Sequence, residues 1–122
     1  KFLLIACILG ALSVILGAFG AHYFKKSLSP ELLDSYKTGI RYLMLHSIVL
    51  LVVNAVDISS KTMLKKVNYL FTIGILFFSG SILAIVLGVP AKLIWFVTPL
   101  GGLLLVLGWI LLGLGVWRKK DL

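Results

Sequence analysis

The chain has 122 residues, of which 61% are hydrophobic and only 13% are charged, and its mean hydropathy is +1.13. Soluble globular proteins are about 45–50% apolar and about 25% charged, so this composition excludes a soluble domain and indicates an integral membrane protein. The formal net charge is +8, but we assign it to lysines that reach lipid headgroups from helix ends, and we expect no nucleic-acid partner.

Four apolar runs separated by charged residues follow one another along the chain. A helix rises about 1.5 Å per residue and needs ~20 apolar residues to cross the hydrocarbon core, so the length allows about four crossings and no second domain. We therefore predict an all-α membrane protein in which residues 1–122 form a single integral membrane domain. It is expected to be a compact four-helix bundle with crossings at about 2–24, 40–56, 67–89 and 93–117.

The first run, residues 2–24, carries a stripe of small residues. Gly10, Ser13, Gly17 and Gly20 recur at spacings of three or four, which places them on one face of a helix. Lipid tails supply no hydrophobic drive between helices, so membrane helices associate where small residues let the backbones approach. We predict that the stripe is a contact face for another helix. The alternative is that its glycines leave space for a ligand.

The connection after the first run begins like a helix. Ser29 is an N-cap candidate, Pro30 suits the first helical position and Glu31 suits the first turn. Apolar residues then fall on one side, opposite charged ones, so we predict a short amphipathic segment between the first two crossings. Two arrangements are open: a separate helix on the membrane surface, or an outward extension of the second membrane helix.

The second run carries most of the polar side chains. Tyr42 and His46 lie one helical turn apart, and Thr38 and Asn54 share their face. His22 ends the first run, which is joined to the second on this side of the membrane, so we predict that the two histidines lie at comparable depth. Polar groups inside a membrane are costly and generally face the bundle interior, which makes His22, Tyr42 and His46 candidate binding residues.

Two histidines support little chemistry. No aspartate or glutamate lies within the four runs, and zinc or di-iron sites need three or four ligands, so we expect no metal site. Two histidines could ligate a haem, but nothing else resembles a haem pocket, and we expect no cofactor. We also find no arrangement of serine, histidine and carboxylate, and we predict no catalytic residues and no enzyme. The preferred interpretation is that the polar side chains hydrogen-bond between helices and fix their register.

The third and fourth runs carry further small residues. Those in the third run are consecutive, and those in the fourth recur every seven residues: Ser79, Gly80, Ser81, Gly101, Gly108 and Gly115. A seven-residue interval returns to the same helix face, so we predict that these are helix-packing positions.

Lysine and arginine are slightly unequal between the two sides of the membrane. Seven lie at the two termini and in the connection between the second and third runs, against five on the opposite side. Positive residues are enriched on the cytoplasmic side, so both termini are predicted to be cytoplasmic.

Five segments, taken in order, resemble the family filed as domain of unknown function 423: LGAFGAH (16–22), LSPELL (28–33), YKTGIRYLMLHSIVLL (36–51), FFSGS (77–81) and TPLGGLLLVLGW (98–109). The resemblance implies a small four-helix protein of the bacterial inner membrane. It implies no established reaction, and it suggests a role in membrane integrity or as an accessory to a larger complex. Leu43 departs from the family, which has glutamine there, and this departure favours packing over chemistry.

We therefore predict a non-enzymatic structural or accessory membrane component, surrounded by membrane lipids. Its glycine-lined faces are expected to associate with a second copy of the chain, giving a homo-oligomer, or with another membrane protein. The alternative is a protein that binds a lipid, a quinone or a haem at a site near His22 and His46.

Overall fold

The computed structural model describes residues 1–119, and every regular element in that range is helical. Four helices are long and apolar enough to cross a membrane. We call them α1 (Phe2–Ser27), α2 (Pro30–Ala55), α3 (Lys61–Val86) and α4 (Val97–Lys119), and a single helical turn, Ala91–Ile94, precedes α4. The predicted all-α fold with four candidate membrane helices is confirmed. The charge count above includes Lys120, which lies outside the described residues.

α2 begins where the sequence places a cap. The hydroxyl of Ser29 accepts a hydrogen bond from the backbone N–H of Leu32 at 3.2 Å, and Pro30 occupies the first turn. The helix then runs without interruption to Ala55. Of the two arrangements left open for the amphipathic segment, the structure has the second: residues 30–39 form the outer turns of α2. No proline follows Pro30 in this stretch, so nothing in it ends the helix.

The end of α1 departs from α-helical geometry. Residues Gly20–Phe24 form a π-helical turn, and one α-helical turn, Lys25–Ser27, follows it. Gly20 lies against Tyr36 of α2, where a Cβ atom would be 2.6 Å from the ring. The hydroxyl of Tyr36 also donates a hydrogen bond to the carbonyl oxygen of Leu16. A missing side chain in α1 thus allows the buried Tyr36 ring to join the outer ends of the two helices.

The helices pack in chain order, with α1 on α2, α2 on α3 and α3 on α4. Neighbours run antiparallel because short connections join them. The closest approach is between α3 and α4, where a Cβ atom at Gly101 would lie 2.8 Å from the carbonyl oxygen of Gly74. At that point the two backbones are in direct contact, which is how membrane helices gain dispersion energy.

The interior and the outer surface are both apolar. One cluster of buried hydrophobic side chains draws on all four helices: Ala6, Leu9, Leu43, Leu50, Val53, Val67, Phe71, Ile75, Leu105 and Leu112. Large hydrophobic side chains also cover the outside, among them Leu4, Val14 and Leu103, each more than half exposed. A soluble monomer rarely exposes so much contiguous apolar surface, whereas lipid tails would cover it.

Candidate functional site

His46 lies in the bundle interior and is only 4% exposed. The indole N–H of Trp109 donates a hydrogen bond to Nε2 of His46 at 3.2 Å, and Nδ1 of His46 lies 2.8 Å from the carbonyl oxygen of Tyr42. Because the indole N–H can only donate, Nε2 must be the acceptor, and Nδ1 carries the proton that is donated to Tyr42. The imidazole is therefore neutral, and both of its nitrogens are engaged within the chain.

Aromatic rings from three helices surround this imidazole. Tyr42 stacks on it with ring centroids 6.0 Å apart, while Phe71 and Trp109 meet it edge-on at 5.4 and 6.1 Å. Phe71 can enter because Gly108 of α4 has no side chain; a Cβ atom there would lie 2.7 Å from the Phe71 ring. Edge-to-face aromatic pairs contribute about 0.5–1.5 kcal/mol beyond their buried area. His46 is thus the centre of a packing contact between α2, α3 and α4.

His22 is not part of this contact, and the predicted cluster is wrong in that respect. The His22 side chain is exposed and lies beside Ile15, Phe19 and Tyr23 on the outer face of α1. Tyr42 and His46 do come together, as the one-turn spacing predicts.

The depth of the two histidines explains the error. Where α1 faces α2, Gly20 lies against Tyr36 and Gly10 lies against Ser47. Because the two helices are antiparallel, the numbers of two residues at the same depth add up to 56 or 57. His22 is therefore level with residue 34 or 35 of α2, and His46 lies about 17 Å further along the helix at 1.5 Å per residue. The prediction placed the membrane crossing of α2 at about residues 40–56, whereas the helix runs from Pro30 to Ala55. The additional turns carry His46 far deeper than His22.

This separation removes the basis for a site that needs both histidines. A haem held by two histidines requires both imidazoles to reach one iron, which side chains about 17 Å apart in depth cannot do. Within residues 1–119, no three His, Cys, Asp or Glu side chains are grouped closely enough to hold a metal ion. A haem ligated by both His22 and His46 is therefore not assembled by the fold, and binding of a lipid or a quinone near one of them stays a prediction.

The small-residue stripe of α1 faces α2. Its glycines lie beside α2 side chains at the following distances from the position of a Cβ atom: Gly10 to Ser47 Oγ, 3.6 Å; Gly17 to Ile40 Cγ2, 3.8 Å; Gly20 to Tyr36 Cε1, 2.6 Å. Ser13 is fully buried, and its hydroxyl donates a hydrogen bond to the carbonyl oxygen of Gly10 at 2.7 Å. The stripe therefore faces α2 along its length, although Gly17 is only half-buried.

The glycines of α4 face α3 in the same way. Cβ atoms there would meet Gly74 and Phe77 at Gly101, Phe71 at Gly108, and Met63 and Ser59 at Gly115, all within 3 Å. Both glycine-lined faces are occupied by the chain's own helices. Association of these faces with a second copy or a partner would require opening the bundle at these contacts, and the predicted homo-oligomer or membrane-protein partner stays a prediction.

The three small residues of α3 have different surroundings. The hydroxyl of Ser79 donates a hydrogen bond to the carbonyl oxygen of Gly39 at 2.6 Å, which joins α3 to α2. Ser81 hydrogen-bonds to Thr98 of α4. Gly80, in contrast, has no atom within 4 Å of its Cβ position, so it points outward and packs against nothing in the described chain. The prediction that Gly80 packs between helices is wrong, since its neighbours in sequence occupy the two inner faces.

A pair of amides was missed in the sequence. Asn54 of α2 and Asn68 of α3 exchange two hydrogen bonds, at 2.8 and 2.9 Å, and Asn54 also donates to the carbonyl oxygen of Leu50. Asn68 is 3% exposed. Asn54 was assigned to the polar face of the second run, and the isolated amide of Asn68 in the next run was the signal that could have supplied its partner.

The chain is similar in sequence to membrane proteins of several bacteria. Residues 16–102 match the family model described as protein of unknown function (DUF423). A UPF0382 membrane protein of Haemophilus influenzae is 34% identical over all of this chain and 98% of its own length. UPF0382 inner membrane protein YgdD of Escherichia coli is 32% identical, over 98% of this chain and 92% of its own. YwdK of Bacillus subtilis, also a UPF0382 membrane protein, is 34% identical over 91% of each.

No solved structure gives a significant match to the chain. The names of these three relatives state a membrane location and name no enzyme. The match covers most of the chain, and the predicted location in the cell membrane is confirmed. This four-helix integral membrane protein therefore belongs to the DUF423 family, whose relatives carry the name UPF0382 membrane protein.

Proposed function

We propose that this chain is a non-enzymatic structural or accessory component of the bacterial inner membrane, which supports membrane integrity or a larger membrane complex. The observation that carries the proposal is the state of its buried polar side chains. Those that join helices to one another, His46, Asn54, Asn68, Ser79 and Ser81, all have hydrogen-bond partners inside the bundle.

Such pairing favours a structural role over chemistry. A fully satisfied polar network inside a low-dielectric interior rigidifies it and specifies one arrangement of helices. A general acid or base instead needs a group that can exchange a proton with a substrate, and His46 has both nitrogens engaged. Within residues 1–119 one buried side-chain oxygen lacks a partner, the hydroxyl of Thr72, and a threonine hydroxyl is a weak nucleophile unless an adjacent base activates it.

The contacts that serve this role would then form on the outer surface of the bundle. Because the glycine faces of α1 and α4 are used internally, contacts with a second copy or another membrane protein would form on the outward apolar faces. Gly80 of α3 and Gly113 of α4 both have open space at their Cβ positions, where the backbone of a neighbouring helix can approach closely. The predicted cytoplasmic location of both termini is part of this proposal.

The proposal is tested by asking whether variants lose the barrier function only when they lose their fold. Cells that lack their own copy would receive the parent chain, His46→Gln or Trp109→Phe, and uptake of a membrane-impermeant dye would be measured beside the melting temperature of each purified chain. We expect every variant that folds to restore the barrier as the parent does. A variant that folds like the parent but fails to restore it would point to chemistry at His46.

Two controls make this result interpretable. Gly101→Ala perturbs the α3–α4 contact without touching any titratable group, so it should lose stability and barrier function together. Gly113→Ala makes the same chemical change on an open face of α4 and should lose neither. Equal dye uptake with and without the parent chain would contradict the membrane-integrity role.

A further inference from the structure

A cavity of about 390 Å³ opens between α1 and α2, toward the end where their connection lies. Its lining includes three cationic side chains, Lys25, Lys37 and Arg41, and no carboxylate. Gly17 and Ala21 of α1 also line it, and their small size leaves the space open. The cavity is therefore a basic pocket between two membrane helices.

The three cations lie at different depths. With facing residue numbers that add up to 56 or 57, Arg41 is level with residue 15 or 16 of α1, inside its apolar run. Lys25 lies nine or ten residues further out along α1, about 14 Å at 1.5 Å per residue. Lys37 is one helical turn outward of Arg41 on the same face of α2. The basic lining thus extends from the apolar part of the bundle toward the headgroup level.

The Arg41 side chain is exposed on the bundle, and at that depth an anion would stabilise its charge. Ionisable groups within a membrane are costly and are generally paired with one another or with a polar partner. No carboxylate of residues 1–119 forms an ion pair with Lys25, Lys37 or Arg41. The cavity at the opposite end of the bundle differs, because Asp57 lines it and pairs with Lys119 at 2.6 Å. The chain therefore supplies a counter-charge at one end and none in the α1–α2 cavity.

We propose that the α1–α2 cavity binds a phosphate group, carried by an anionic phospholipid. A planar guanidinium can donate two parallel hydrogen bonds to phosphate oxygens, and lysines add charge. Basic pockets between membrane helices suit acidic headgroups. Ile40 also lines the cavity, and the outward apolar face of α1 continues beside it, so an acyl chain can follow the bundle into the membrane. Free phosphate offers the same oxyanion without the chain, and the experiment separates the two sources.

The test is native mass spectrometry of the full chain in a mild non-ionic detergent. The purified chain is titrated in parallel with dioleoyl-phosphatidylglycerol, with dioleoyl-phosphatidylcholine and with inorganic phosphate. We expect one phosphatidylglycerol to bind in preference to phosphatidylcholine and to resist displacement by inorganic phosphate. Displacement of the lipid by inorganic phosphate would assign the site to free phosphate. Equal binding of the two lipids, or no binding of either anion, would overturn the proposal.

Variants locate the site. Each cation near a membrane surface contributes about 1 kcal/mol of attraction to acidic lipid, so Arg41→Gln should weaken phosphatidylglycerol binding about fivefold. The triple variant, in which Lys25→Gln and Lys37→Gln are added to Arg41→Gln, should weaken phosphatidylglycerol binding about a hundredfold on the same basis. The matched control removes three lysines elsewhere, Lys61, Lys65 and Lys66, and should leave binding unchanged.

A charge-neutral variant covers the case in which the cation variants misfold. Ala21 is exposed and lines the cavity, so Ala21→Leu should fill the space without disturbing the bundle or its charge. We expect it to lower phosphatidylglycerol binding while the melting temperature stays that of the parent. Undiminished lipid binding by a folded Ala21→Leu chain, or equal losses in the cation variants and the lysine control, would overturn the proposal.

Discussion

Gly101→Ala is the sharpest test of the packing described above. The methyl group would lie 2.8 Å from the carbonyl oxygen of Gly74 and closer still to the backbone nitrogen of Phe78. Ordinary contacts of this kind begin near 3.4 Å, so α3 and α4 would have to separate by ~0.6 Å to relieve the contact with the Gly74 oxygen, and by more to relieve the contact with the Phe78 nitrogen. Backbone atoms cannot rotate out of the way as side chains do, and the whole contact must therefore shift.

The cost follows from how membrane helices are held together. A gap of 0.5–1 Å forfeits about a quarter to a half of the dispersion energy of each atom pair across it. Overpacking of well-packed sites typically costs about 1–3 kcal/mol, and the glycine backbone contact of α3 and α4 leaves no side chain to absorb the change. We expect Gly101→Ala to lower the free energy of unfolding by about 2 kcal/mol or more.

The assay is equilibrium unfolding in mixed micelles, with increasing mole fraction of sodium dodecyl sulfate and tryptophan fluorescence as the signal. Gly113→Ala is the matched control, since it makes the same change on α4 where no atom lies within 4 Å of the Cβ position. It should stay within about 0.5 kcal/mol of the parent. If the two variants unfold at the same detergent fraction, the close contact at Gly101 does not exist as described.

Four further variants test the polar contacts. Asn54→Leu should destabilise the bundle by about 1–3 kcal/mol because it leaves the buried Asn68 amide unpaired, and Asn68→Leu should cost less because Asn54 is only half-buried and keeps its hydrogen bond to Leu50; a double-mutant cycle with no coupling would contradict the reciprocal pair. Trp109→Phe should cost about 1–2 kcal/mol, since it leaves Nε2 of His46 without a donor, and a shift in the His46 ring resonances on substitution is the check; unchanged resonances would refute the contact. Asp57→Asn should leave the melting temperature nearly unchanged because its carboxylate is 90% exposed, and a large drop would show that this ion pair matters.

The number of helices and the start of α2 could be predicted because both depend on local signals. Apolar runs of membrane-spanning length define the helices, and Ser29 followed by Pro30 marks a cap that the structure uses. The contact between Tyr42 and His46 also follows from their one-turn spacing. These features need no knowledge of how one helix sits against another.

The shared histidine site could not be predicted, because it depended on the offset between two helices. The cap at Ser29 and Pro30 fixes where α2 begins, but it does not fix which residue of α1 lies level with His46. An offset of ten residues between two antiparallel helices moves His46 by about 15 Å relative to α1. The π-helical turn at Gly20–Phe24 then changes the rotation of the residues that follow, His22 among them.

Helix rotation also decided which small residues pack. Ser79, Gly80 and Ser81 look equivalent in sequence, yet Ser79 bonds to α2, Ser81 bonds to α4 and Gly80 points outward. Successive residues on a helix are about 100° apart, so only the arrangement of neighbouring helices can choose among them. The partner of Asn54 was missed for the same reason, because Asn68 pairs with it across helices and not along one.

The central claim is that the buried polar side chains fix the register of an otherwise apolar bundle and serve no reaction or chromophore. The most direct test is the intact mass of the purified chain in mild detergent by native mass spectrometry, together with its visible absorption spectrum and the same data for His46→Gln. The account predicts the mass of the chain or of an integral multiple, with added mass from lipid alone and no visible absorption. A stoichiometric non-lipid mass that is present in the parent and absent from a folded His46→Gln chain would contradict it.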